Sequence, residues 1–330
     1  MRALITGLTG FVGSHLAEHL LRETDWDIVG MVRWRSPLDN IAGLVPMINR
    51  GERVRLVYAD LSDEASVKAA VRSAAPDFVF HLAAQSYPQT SFVSACDTLE
   101  TNILGTVRLL DALHEHAPLA NIHVCSSCEV YGKAKAIPIN EDAPFHPASP
   151  YAISKVGADL VARHYAEAYG MNIQVTRMFT HTGPRRGDVF MESSFAKQIA
   201  MIEAGMIPAT VRVGNLDSLR TVCDVRDAVR AYHMLLTVNP EPGAVYNIGG
   251  THSCTVGDIL NALLGMSAVN IAVEQDPGRM RPVDADLQVP DMTRFRERTG
   301  WAPTIPFEQT MADLLGYWRE RVKTQAVLQR

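Results

Sequence analysis

No run of the ~18 consecutive apolar residues that a membrane-spanning helix needs occurs in this sequence, so a helical membrane anchor is not expected. The N-terminus runs straight into a strand-like segment instead of a charged and apolar leader, and a cytoplasmic protein is expected. Basic charge is scarce: Lys and Arg number 31 against 36 Asp and Glu, a formal net charge of −5, which argues against a nucleic-acid-binding stripe. The five cysteines, Cys96, Cys125, Cys128, Cys223 and Cys254, are odd in number and irregularly spaced, which argues against a disulfide framework. Repeats and low-complexity tracts are also missing. With 330 residues, 47% hydrophobic and 20% charged, what remains is an ordinary globular chain, either one large domain with a lobe or two domains.

Short apolar runs alternate with helix-length amphipathic stretches through the first half. The runs 2–6, 27–33, 54–59, 77–83, 121–126 and 172–179 have strand character, and 12–22, 64–73, 97–116 and 150–169 have helix character. Such alternation predicts an α/β fold, a Rossmann-type doubly wound parallel sheet. Two further strands, 210–213 and 244–248, and a terminal helix at 307–322 fall in a half broken by Pro and Gly. The expected division is a dinucleotide-binding domain at 1–176 with 215–250 returning to it, and a smaller α/β substrate lobe from 177–214 and 251–330.

Gly7, Gly10 and Gly13 punctuate the turn between the first strand and first helix, with Phe11 and Val12 opening that helix. There a pyrophosphate meets backbone N–H groups and the helix dipole. Tight turns select glycine too, but the position after an N-terminal strand favours dinucleotide binding. The second strand ends in Arg33-Trp34-Arg35-Ser36, where an NAD enzyme would place an acid for the ribose 2′-hydroxyl. Guanidiniums and a hydroxyl suit a 2′-phosphate, so NADP is favoured over NAD, the alternative being a solvated basic loop. Asp60, followed by Leu61, could reach an adenine edge or only form a capping turn.

Tyr151 and Lys155 are four residues apart and share a helix face, where the ammonium is expected to depress the phenol's pKa and make it a usable base. Ser127 and Glu129 lie at the carboxyl end of a central strand, facing the crevice where ligands bind in open α/β sheets. Glu129 could exchange a proton with substrate, or pair with Lys133 as a loop acid. Cys125 and Cys128 form a bare CxxC without a second pair for zinc, and read as packing residues. His114 and His116, two apart, do not share a helix face, so no metal site is expected. Arg185, Arg186, Arg220, Arg279 and Arg281 gather in the second half of an acidic chain, and planar guanidiniums suit a diphosphate. As a set they suggest a nucleotide-linked substrate.

The segments TGLTGFVG, ADL, HLAAQS, SSCEVYG, SPYAISK, HTGPRRGDVF, VGNLDSLR and GWAP occur in order over essentially the whole length. In these the chain resembles the extended short-chain dehydrogenase/reductases that modify nucleotide sugars, within them the GDP-mannose 4,6-dehydratases and the neighbouring GDP-4-keto-6-deoxy-mannose reductases. The resemblance implies Ser127, Glu129 and Tyr151 as catalytic, with Lys155 binding the cofactor ribose. It implies cofactor contacts from Gly7 to Gly13, Arg33, Asp60, Leu61, Leu82, Ala83, Ala84, Gln85, Ser86, His181 and Arg186. Substrate contacts fall on Ser86, Thr180, Arg220 and Arg281. Three positions depart from the pattern: Ser127 stands for the usual threonine, Thr180 for asparagine, and Thr221 for the aspartate after Arg220. The implied activity is dehydration of a GDP-hexose to its 4-keto-6-deoxy form with bound NADP. A 4-keto reductase, a 4-epimerase and a non-catalytic NADP-sensing regulator are the alternatives. A homodimer or homotetramer is implied as well, helices 97–116 and 150–169 pairing as in relatives, the alternative being that the sheet satisfies their apolar faces.

Overall fold

The computed structural model describes residues 1–280, 287–324 and 327. In chain order its strands are β1 (Arg2–Thr6), β2 (Asp27–Val32), β3 (Val54–Tyr58), β4 (Phe78–His81), β5 (Asn121–Ser127), β6 (Ile173–Met178), β7 (His181–Thr182), β8 (Thr210–Val213), β9 (Leu219–Asp224), β10 (Val245–Ile248), β11 (His252–Thr255), β12 (Ala272–Gln275) and β13 (Leu287–Gln288). A seven-stranded sheet runs β10-β6-β5-β4-β1-β2-β3, with every pairing parallel. Strands buried on both faces read as continuous apolar runs, as in β4, all four of whose residues are buried. Helices Phe11–Glu23 and Val225–Thr237 pack one face through Leu16, Leu20, Val229 and Leu235. Helices Glu64–Ala74, Gly105–His116 and Pro150–Tyr169 cover the other through Val67, Val71, Leu109, Leu113 and Ala162. Burying each such leucine is worth roughly 1.5–3 kcal/mol, so neither layer leaves the sheet cheaply.

The chain departs from β1 to β2 and β3 on one side and to β4 on the other. The crevice between the carboxyl ends of β1 and β4 is therefore the switch point where such sheets bind ligands. A buried hydrogen-bonded chain fixes its floor. The Thr6 hydroxyl oxygen accepts the Leu82 and Ala83 N–H groups at 3.1 and 3.0 Å, so its hydrogen goes to His81 Nδ1, 2.9 Å away. His81 Nε2–H then donates to Thr106 Oγ1 at 3.0 Å, which donates to the Asn102 carbonyl at 2.7 Å. This tautomer is neutral, and burial pulls the His81 pKa from 6.5 down to about 3.

Because the unfolded chain takes up a proton that folded His81 refuses, the stability this group contributes is complete above pH 6.5 and is lost as the pH falls toward 3. In thermal melts over that window, His81→Gln is expected to flatten the fall of Tm with falling pH. His123 and His181, also held near 3 by burial, retain part of the slope. A slope unchanged by the substitution would overturn this reading of His81.

Two expectations need correction. The stretch 97–116 is not one α-helix: Ala95–Leu99 passes through a π-turn, Glu100–Leu104, into Gly105–His116. A π-turn leaves a widened loop of backbone inside a helix. Here it carries the buried Asn102, whose amide accepts the Gln85 N–H at 2.8 Å and donates to the Gln85 carbonyl at 2.9 Å and Ser154 Oγ at 2.8 Å. Nor does all of 215–250 return to the large sheet. Helix Val225–Thr237 and β10 do, but β9 lies between β11 and β13 in a small sheet and also pairs with β7. Five of its six residues are buried, and a strand so enclosed takes its backbone partners from the lobe around it.

Candidate active site

One cavity of about 800 Å³ runs from the β1/β4 crevice to the lobe, at the upper end of the size range of ligand pockets. The glycine turn lines one end of it. Gly7 has φ +73°, and a Cβ there would stand 3.1 Å from the Ala83 Cα, across the switch point. A Cβ on Gly13 would stand 2.3 Å from the Gly7 carbonyl oxygen. The helix that follows starts at Phe11 with Gly10 as its N-cap, no side-chain cap and no acid in its first turn. Its first N–H groups and the positive end of its dipole are thus presented to an anion.

Along the rim lie Arg33, Ser36, Asp60 and Leu61. Arg33 is exposed and Arg35 does not line the cavity, so one guanidinium, not two, faces it. Asp60 accepts both the Ser62 N–H at 3.0 Å and the Ser62 hydroxyl at 2.8 Å, which hold its carboxyl below the usual range. That is the turn-forming alternative realised at a cavity-lining position, while the cap of helix Glu64–Ala74 is Asp63. Leu82, Ala83, Ala84, Gln85 and Ser86 continue the wall after β4.

The reactive-looking side chains meet beyond β5. Ser127 caps the short 3₁₀ turn Cys128–Tyr131, its hydroxyl accepting the Glu129 N–H at 3.2 Å. Helix Pro150–Tyr169 begins where the Ser149 hydroxyl accepts the Ala152 N–H at 3.0 Å, with Pro150 in its first turn. It ends at Gly170 in the left-handed conformation. This start sets Tyr151, 8% exposed, against Ser127, to which its phenol is hydrogen-bonded. Glu129 is half-buried, and its carboxylate accepts the Gln288 amide N–H at 3.0 Å.

The expected depression of the Tyr151 phenol by Lys155 is not what the fold produces. Burial dominates and pushes the phenol well above its ordinary value, with the Ser127 hydrogen bond pulling the other way. Lys155 Nζ donates to the Cys125 carbonyl at 2.8 Å, and burial lowers its own pKa. Desolvation outweighs the helix-face proximity on which the sequence argument rested.

Toward the lobe, His181 stacks on Phe11 with ring centroids 5.7 Å apart, and burial holds it neutral, with a pKa of about 3. Arg186 lies over the Phe190 ring at 3.5 Å from its centroid, with Glu192 at 3.4 Å. Burial lowers the Arg186 pKa against the pull of Glu192. Thr180 and Arg220 also line the cavity. Of the remaining arginines singled out in the sequence, Arg279 lines it and donates to Ser194 Oγ at 3.3 Å, while Arg185 pairs instead with Glu18 at 2.7 Å. Arg281 lies outside the described residues. Cys125 and Cys128 are free thiols, with Cys128 buried and its pKa raised by burial.

Tyr87, Gln89, Phe190, Glu192 and Gln288 line the cavity without having been legible in the sequence. They come from the starts of helices Pro88–Val93 and Met191–Glu203 and from the two-residue strand β13, with no fixed spacing to the glycine or tyrosine motifs. Only the aromatic Phe190, within the PRRGDVF segment, carried any signal. Among the described residues no helix is long and apolar enough to cross a membrane, and no group of three or more His, Cys, Asp or Glu could hold a metal.

The family described as GDP-mannose 4,6 dehydratase matches residues 4–314. A GDP-6-deoxy-D-mannose reductase of Pseudomonas aeruginosa is 32% identical over 327 residues, which cover 98% of this chain and 99% of the relative. A GDP-mannose 4,6-dehydratase of Yersinia enterocolitica is 31% identical over 362 residues, 99% of this chain and 96% of the relative. Among solved structures, that of RMD from Pseudomonas aeruginosa complexed with NADPH superposes with a TM-score of 0.83 at 31% identity, covering 97% of this chain and 99% of that one.

Proposed function

The chain belongs to the GDP-mannose 4,6-dehydratase family of extended short-chain dehydrogenase/reductases, and from that premise we propose that it converts a GDP-hexose, GDP-mannose first, to the 4-keto-6-deoxy sugar with bound NADP. The observation that carries this reading is Glu129, a carboxylate in the same cavity as Tyr151 and Ser127. Simple reduction of a ketone needs a proton donor but no second acid–base group, whereas elimination does.

The glycine turn fits a dinucleotide, since a Cβ would fill the approach at Gly7 and Gly13. Gly7 to Gly13, Arg33 with Ser36, Asp60 and Leu61, Leu82 to Ser86, Lys155, His181 and Arg186 would hold NADP. When bound, it supplies hydride-transfer chemistry. The proton steps belong to this chain. Tyr151 takes the 4-hydroxyl proton as C4 is oxidised. The 4-keto group acidifies C5–H, Glu129 accepts that proton, and the C5–H electron pair becomes the C5=C6 bond as the C6–O bond breaks. Protonated Glu129, or Ser127, gives the departing hydroxide its proton, so water leaves. C6 then regains the hydride that C4 lost while C5 takes a proton from solvent and Tyr151 returns its own to solvent, giving the 4-keto-6-deoxy sugar with no net redox change. Arg220, with Arg279 toward the lobe, suits the diphosphate, and Ser86 and Thr180 the sugar. We assign dinucleotide binding to the large sheet with helix Val225–Thr237 and β10, and nucleotide-sugar binding to the lobe around β9.

The test is incubation of the purified protein with GDP-mannose and no added reductant, read by mass spectrometry. A 4-keto product lighter by one water is expected. The second reading, a 4-keto reductase, is favoured by the Pseudomonas aeruginosa relative's name, and predicts inertness to GDP-mannose with NADPH consumed on the keto sugar. Homodimerisation is proposed from the exposed apolar side chains Leu104, Ile153 and Leu160 on the helices at 100–116 and 150–169. A single-chain mass in sedimentation analysis would overturn it.

A further inference from the structure

β13 is only two residues long, yet it sets Gln288 into the cavity wall at 3% exposure. Its parallel pairing with β9 puts Gln288 opposite Arg220, so this side chain is anchored to the lobe while reaching the loop after β5. The amide N–H donates to the Glu129 carboxylate at 3.0 Å, and the amide oxygen accepts the Thr180 hydroxyl at 3.4 Å. Three residues from three segments thus form one line ending at the carboxylate.

The chemistry of that line is reversible. An ionised carboxylate only accepts hydrogen bonds, whereas a carboxylic acid has one proton to donate. A primary amide presents N–H to the first and, turned over, C=O to the second. A threonine hydroxyl donates to an amide oxygen or accepts from an amide N–H, so Thr180 satisfies whichever end is turned toward it. An acid that must take a proton and then give it away therefore has a hydrogen-bonded partner in both states, and a buried polar group is spared the cost of losing one.

We propose that Gln288, backed by Thr180, is a positioning residue that aims the Glu129 carboxylate at the sugar and stays bonded to it through both proton states. This role rests on the dehydratase reading above. A leucine or a glutamate at 288 keeps the approximate shape and removes the neutral amide donor.

Gln288→Leu is expected to lower kcat on GDP-mannose by about tenfold or more, the worth of a hydrogen bond to a charged group, with KM changed less than about twofold. Uptake of solvent deuterium at C5 falls in the same proportion. Oxidation at C4, followed as the burst of reduced-nicotinamide absorbance in a single turnover, keeps its wild-type rate. Gln288→Glu shows the same split with a larger loss, because a second carboxylate then faces Glu129. Equal slowing of the burst and of deuterium uptake in both variants would mean general disruption of the site and overturn the role. So would a kcat within about twofold of wild type in Gln288→Leu. Wild-type protein that makes no keto sugar from GDP-mannose overturns the dehydratase reading and this role with it. An active wild type with silent variants overturns only the role of Gln288.

Discussion

Glu129→Gln is expected to cut turnover of GDP-mannose by about 10²–10⁴-fold, the range for loss of a positioned acid–base group, while C4 oxidation proceeds. The glutamine keeps the size of the side chain but cannot take the C5 proton. Its amide oxygen still accepts the Gln288 N–H that the carboxylate accepts at 3.0 Å, so the loss reports the missing proton acceptor and not a broken contact. Elimination stops with the cofactor reduced and the sugar at the 4-keto stage. In a single turnover the reduced-nicotinamide absorbance should rise and persist, and quenched samples should contain a keto sugar that still carries its 6-hydroxyl. Wild-type turnover in this variant would remove Glu129 from the mechanism.

Tyr151→Phe is expected to produce a loss of similar or greater size, about 10²–10⁴-fold, at the earlier step. Without the phenol oxygen the 4-hydroxyl keeps its proton, so neither the absorbance rise nor the keto sugar should form. The two variants are told apart by that absorbance, not by the steady-state rate. The pH dependence follows from the burial of Tyr151, which pushes its pKa up. If the phenolate is the working base, kcat/KM falls as the pH is lowered, because less of the phenol is ionised. The Ser127 hydrogen bond opposes burial by favouring the ionised phenol. Ser127→Ala should therefore move that acidic limb to higher pH, and an unmoved limb would deny Ser127 this influence on Tyr151.

The layout of the large sheet was readable because its determinants are local. Strands such as Arg2–Thr6 and Ile173–Met178 are short apolar runs bounded by turn residues, and helix Pro150–Tyr169 carries its own start and stop in Ser149, Pro150 and Gly170. Gly7 and Gly13 likewise announce a close backbone approach through the one residue that tolerates it. The π-turn at Glu100–Leu104 was not readable, since Asn102 earns its place through Gln85 and Ser154, a contact between segments. The same holds for Gln288 and Glu192, which reach the cavity from elements whose sequence separation from the motifs has no fixed period.

The sequence by itself determined the parallel sheet, the glycine turn at its switch point and the identity of the side chains at 127, 129, 151 and 155, because hydrophobic period, turn chemistry and helix-face spacing act over a few residues. Tertiary structure alone decided their electrostatics. Burial raises the Tyr151 phenol, Lys155 is bonded to the Cys125 carbonyl, and a glutamine more than 150 residues away holds Glu129. Desolvation and hydrogen-bond partners depend on what the rest of the chain packs around a group, and no spacing between neighbours in sequence encodes that.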